Sequence, residues 1–140
     1  TDQITFSTIN CESTTSCDMQ LTVRDLNGNI QLQKTYGGTS YDKASAVLPI
    51  TDGGYFLLGS TSSFGAGNYD MLLIRTDEKG TVIWQKTYGG FFNEYGEKMN
   101  LKDGLLSIEG LQQKCTTANV SNDCYMEKWT LVVDGNGNLS

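Results

Sequence analysis

Histidine is absent from this 140-residue chain, and proline occurs once. Without histidine the commonest general base and the commonest zinc ligand are missing, which leaves carboxylates, Tyr, Lys and Cys for any chemistry. Cations are few: 10 Lys and Arg stand against 16 Asp and Glu, for a net charge of -6. Such a chain lacks the surface that neutralises nucleic-acid phosphates or anionic lipid heads. No apolar run approaches a membrane span, and no signal peptide is visible in a sequence that starts at Thr1 without Met, which is expected to be a processed chain or an excised piece. There is no nucleophile elbow, P-loop, zinc signature or CxxC spacing. The expectation is therefore a chain that is not an enzyme, holds no cofactor, binds no nucleic acid and inserts in no membrane.

What is present points to strands. Sixteen Gly, with seven Tyr, five Phe and many Thr and Ser, suit short strands joined by tight turns. A mean hydropathy of -0.33 with 38% hydrophobic residues fits one globular region. The chain also repeats itself. Asp18 to Gly38 and Asp70 to Gly90 align without a gap, sharing Asp18/Asp70, Met19/Met71, Leu21/Leu73, Asp25/Asp77, Gly28/Gly80 and the run from Gln33 or Gln85 to the Gly-Gly pair. A repeat of about fifty residues means a repeated supersecondary unit.

Period-two alternation and turn residues predict strands at 4–8, 19–24, 29–36, 43–50, 55–61, 71–76, 81–88, 95–101, 105–111 and 126–133. The run at 55–61 is continuously apolar and is expected to be buried on both faces. The chain divides into the end of a preceding unit with a stapled loop (1–17), a first repeat (18–68), a second (69–122) and the start of a third (123–140). Cys11 with Cys17 and Cys115 with Cys124 are close pairs on equivalent connectors, and local pairing is expected, each bridge stabilising a short loop by roughly 2–3 kcal/mol. The rival readings, a redox pair or a metal site, lack the spacing and the histidine. An even cysteine count in this setting predicts an extracellular or cell-surface protein.

The pattern Asp77, Gly80, Trp84 and Lys86 to Gly90, with Asp42, Asp52-Gly53-Gly54-Tyr55 and Gly59-Ser60-Thr61 in the first unit, resembles the propeller-like repeats of secreted and cell-surface proteins, abundant in Bacteroidetes and some archaea. It is distantly similar to tryptophan-docking blades, although Leu32 stands where Trp84 stands in the second unit. The resemblance implies an all-β fold of antiparallel four-stranded blades. Two and a half blades do not close a circle. The options, in order, are a segment of a longer propeller, copies that complete one another by strand addition, and a two-sheet β-sandwich. The edges near 4–8 and 126–133 are then surfaces for other chains or copies of this one.

Four candidate features follow. The turns carrying Asp25 and Asn27, Asp77, and Asp134 and Asn136 space oxygen ligands as a calcium loop does, but lack the closing Glu, and a β-turn needed by every blade is the commoner reading. Tyr41, Asp42, Phe64, Phe91, Phe92 and Glu94, with Asn93 and Tyr95, lie in or beside connectors that share one face of a propeller. They suit stacking on sugar rings, a protein contact, or plugging of the blade ends. Tyr36, Tyr55, Trp84, Tyr88 and Trp129 lie in strands and are expected in core or seams. Glu94/Glu97 and Asp123/Glu127 read as solvated surface rather than a glycosidase pair. Asn119 and Asn138 sit in N-glycosylation sequons, meaningful only in a glycosylating host.

The expected function is a non-catalytic extracellular β-repeat module with a structural, adhesive or assembly role. The alternatives are a lectin-like glycan-binding module, and an accessory domain of a secreted hydrolase.

Overall fold

The computed structural model describes residues 2–13, 16–65, 68–116 and 123–140. Its elements are β1 (Gln3–Ser13), β2 (Ser16–Arg24), β3 (Ile30–Tyr36), β4 (Asp42–Pro49), β5 (Tyr55–Thr61), β6 (Asp70–Thr76), β7 (Val82–Tyr88), β8 (Glu94–Lys102), β9 (Leu105–Cys115) and β10 (Cys124–Val133). They form three antiparallel sheets, β1-β2-β3, β4-β5-β6-β7 and β10-β9-β8. The chain is all-β, as composition and alternation predicted. Among the described residues no helix is long and apolar enough to cross a membrane. Asn119 lies outside the described residues.

Two cores separate the three sheets. Met19, Leu21, Val23 and Tyr36 of the first sheet pack against Leu57, Leu72 and Ile74 of the middle one. Phe56, Leu58, Met71, Leu73 and Tyr88 on the other face of the middle sheet pack against Leu106, Ile108 and Val133 of the third. Thus β5 is buried on both faces, as its apolar run predicted, and β6 is too. A two-sheet sandwich has one core, so that alternative is corrected: stacking sheets on both faces of β5 and β6 is what their continuous apolar runs demand.

The outward faces of the stack are different in kind. Where the middle sheet turns Leu57, Leu72 and Ile74 inward, the first sheet carries Thr5, Gln20 and Thr22 at the same register positions, facing away from its core. Gln33 Nε2 donates to Thr22 Oγ1 across that face at 3.3 Å. Where the middle sheet has Phe56, Leu58, Met71 and Leu73, the third carries Ser107, Glu109, Lys128 and Thr130. Polar outer faces on the end units are how a stacked array meets water.

Sheet membership is offset from the sequence repeat: the strands of 18–68 divide between the first and middle sheets. The segment expected as a stapled loop at 10–16 is largely strand, since β1 continues to Ser13 and pairs it with Ser16. Both disulfides form as paired on sequence. Cys11–Cys17 and Cys115–Cys124 have Cα separations of 4.5 and 4.1 Å, and the latter two are direct partners of the β9–β10 register. Each staples the hairpin tip of an end sheet, where a closed short loop loses the freedom it would have when unfolded.

Candidate functional site

The repeated sequence builds a repeated seam. Asp25, Asp77 and Asp134 each open a turn, and the Oδ1 of each accepts from backbone amides two and four residues on, at 2.8–2.9 Å. Asp25 Oδ2 also accepts from Asn29 Nδ2 and Gln31 Nε2, at 3.3 and 3.1 Å. These donors, foremost the Asn29 and Asn138 amides, hold the Asp25 and Asp134 carboxyls below the usual range. The Asp25 and Asp134 carboxylates read as calcium ligands thus accept hydrogen bonds within the turn itself, and Asn27 and Asn136 supply backbone amides to them. Among the described residues no three acidic, Cys or His side chains group as a metal site.

Each turn ends on a glycine in the left-handed region, and at Gly80 and Gly137 the neighbouring sheet docks. Tyr36 Oη donates to the Gly80 carbonyl and Tyr88 Oη to the Gly137 carbonyl, both at 2.6 Å. A Cβ on Gly80 would lie 2.9 Å from Lys34 Cγ and Tyr36 Oη; on Gly137 it would lie 2.8 Å from the Trp84 ring. The tight fit therefore needs glycine for space as well as for φ. Leu32 and Trp84 hold matching places in the two seams. Burial pushes both phenols up to about 12, so each stays a donor. The third glycine of the series, Gly28, has nothing within 4 Å of that position. Tyr36→Phe and Tyr88→Phe are each expected to lower the unfolding free energy by about 1 kcal/mol, additively because the seams are separate. Urea unfolding of the singles and the double checks this.

At the opposite end of the strands lie the connector residues. Asp42 is fully buried, not a surface ligand. It accepts from Gly38 N and Ser63 Oγ, both at 2.8 Å, and from Thr61 Oγ1 through a short hydrogen bond. Glu94, also read from sequence as solvated, is 2% exposed and takes the equivalent place in the second seam. Its Oε2 accepts from Gly90 N at 3.1 Å, and it hydrogen-bonds the buried Asp70. Burial pushes the Glu94 carboxyl up to about 7; the Gly90 amide opposes the rise, Asp70 adds to it and Lys114 opposes it. Connector carboxylates in solvent on paper are enclosed because consecutive sheets close over them.

The aromatic candidates separate into three places. Tyr41 and Tyr95 flank Tyr69, with ring centroids 5.9 and 5.5 Å apart, in one row across the connectors. Phe64 packs on the first core. Phe91 is 72% exposed and meets the half-buried Phe92 edge to face at 5.4 Å. The six proposed ligand-binding residues therefore do not share one exposed surface. Tyr69 and Asp70 are the residues that sequence reasoning misses; the pair Asp18/Asp70 shared by the repeats is the available signal, and in the structure a Cβ on Gly37 or Gly89 would stand 2.8 or 2.6 Å from their Oδ1 atoms. Glu97 is exposed as expected, and Glu127 also. Among known proteins, no family model matches the chain and no curated protein matches it.

Proposed function

We propose that the chain is a non-catalytic extracellular β-repeat module, propeller-like in its units, with a structural or assembly role in a larger cell-surface protein or a multi-copy assembly. The observation that carries this reading is the seam built twice from the same residues, Tyr36 on Gly80 and Tyr88 on Gly137. At the other end of the strands the buried carboxylates serve packing: Asp42 and Glu94 are enclosed, where no substrate reaches them. Two stapled hairpins support an oxidising setting. The polar end faces disfavour stacking of further sheets through an apolar core, which leaves strand edges as the route to other chains. β10 is an edge strand with Tyr125 and Met126 exposed, and among the described residues Leu139 and Ser140 pair with Val133 and Val132 along that edge.

Light scattering on a size-exclusion column, with far-UV circular dichroism of the same fractions, tests the assembly role. A folded, concentration-dependent oligomer that reverts to monomer on Met126→Pro is expected, because proline at the edge denies a ladder to an incoming strand. A folded monomer at every concentration overturns self-assembly. A lectin-like reading rests on the exposed Phe91 and its partner Phe92; glycan-array binding lost in Phe91→Ala with Phe92→Ala supports it, and no glycan bound removes it.

A further inference from the structure

Between the strands β4 and β8 lies an open cleft of about 670 Å³. Its walls include Lys43 and Ser45 of β4 and Tyr95, Glu97 and Lys98 of β8, with Ser60 of β5 beneath. The two strands are irregular at equivalent places. The β4–β5 register shifts between Ala44 and Ala46, and the β8–β9 register between Gly96 and Lys98. Ser45 and Glu97 are the extra residues, left out of the ladder and both exposed. A β-bulge re-aims a side chain and bends its strand, and such bulges cluster beside binding sites.

The floor is firmly made. Ser60 is 1% exposed, and its Oγ accepts from Gly96 N at 3.2 Å. A Cβ on Gly96 would stand 2.7 Å from Leu58 Cδ1, so only glycine lets β8 approach the middle sheet this closely. On a chain of net charge -6, the cleft gathers two lysines against one glutamate, and both lysines are exposed. The ion pair among the described residues is Arg75 with Asp52 at 3.4 Å, so these amino groups are not committed to one. Tyr95 lines one wall, and its ring begins the row through Tyr69 to Tyr41.

We infer that this cleft binds a short acidic saccharide of the uronic-acid type. The carboxylates pair with Lys43 and Lys98, a pyranose face packs on Tyr95, and Ser45 and Glu97 take sugar hydroxyls. The volume falls within the range of ligand clefts, roughly 300–1,000 Å³. Glu97 together with the acidic surface repels phosphate-dense polymers, whose affinity depends on many cations. A ligand carrying one charge per ring and many hydroxyls fits the mixture of two amines, a hydroxyl, a carboxylate and a ring. This goes beyond the structural role proposed above and does not depend on it.

Isothermal titration of the full chain with trigalacturonate, with maltotriose as the neutral counterpart, tests the inference. Saturable binding of trigalacturonate is expected, weakened about tenfold or more in Lys43→Gln with Lys98→Gln and by added salt. Lys79→Gln, in the exposed turn after Asp77, is expected to leave it unchanged, and circular dichroism confirms that both variants are folded. No saturable binding up to about 10 mM, a weakness beyond any useful site, overturns the inference. Equal binding of maltotriose overturns it also, as does an affinity unmoved in the double variant.

Discussion

Raising the pH from about 4.5 to about 7 is expected to weaken the fold, and Glu94→Gln is expected to remove that weakening. The folded Glu94 carboxyl titrates at about 7 against an ordinary value of 4.5, so in this window the folded state holds a proton that the unfolded state has released. Its contribution is complete below about 4.5 and declines as pH rises through about 7. The gap corresponds to about 3 kcal/mol at most, at about 1.4 kcal/mol per pKa unit. Burial is the main cause. Three donors serve Asp42, whereas Glu94 has the Gly90 amide and the distant charge of Lys114, with Asp70 pressing against it. Gln keeps the shape of the protonated acid, so the variant should match the parent near pH 4.5 and exceed it at pH 8. Urea midpoints of both proteins across this range decide it, and a difference constant with pH sinks the argument. Asp25 and Asp134, whose carboxyls lie below 3.8, contribute stability that is lost only in stronger acid, outside this window.

Gly110→Ala is expected to cost about 3 kcal/mol or more, near the limit for one small side chain. Gly110 faces Gly96 in the β8–β9 register, beside the bulge. A Cβ there would run into the Tyr95 carbonyl oxygen and stand 2.8 Å from Met71 Cε, which is fully buried in the second core. The obstacle is backbone, so a rotamer change cannot relieve it. Relief requires β8 to leave β9, and with it the wall of the cleft and the Glu94 seam. Gly59 is the same feature in the middle sheet, where a Cβ would stand 2.5 Å from the Lys43 carbonyl oxygen. Gly28→Ala supplies the contrast. Its φ of 85° strains alanine, yet nothing lies within 4 Å, and a loss of only about 1 kcal/mol is expected. Denaturant unfolding of the two variants separates steric from conformational cost; equal losses would refute the steric account of Gly110.

Much of this was legible in the residues, because it depends on neighbours in the chain. Alternation at 19–24 and the apolar run at 55–61 marked strands and their burial. Asp-x-x-Gly marked three turns whose hydrogen bonds span four residues, and the cysteine spacing marked two local staples, read as loops, that the structure turns into hairpin tips. The repeat implied that whatever Tyr36 does Tyr88 does too. What those residues touch was not legible, since Tyr36 and Gly80 are 44 positions apart. Nor does periodicity say where one sheet ends. β3 and β4 are successive strands by pattern, but the Gly37-Gly38 connector carries the chain to the next sheet, and Asp42 is buried where the two meet. Asp42 and Glu94 sit in stretches that alone would be solvent-exposed. Only the closure of one sheet over the next removes water from them, and that closure, a sum of contacts far apart in the chain, is what tertiary structure alone decided.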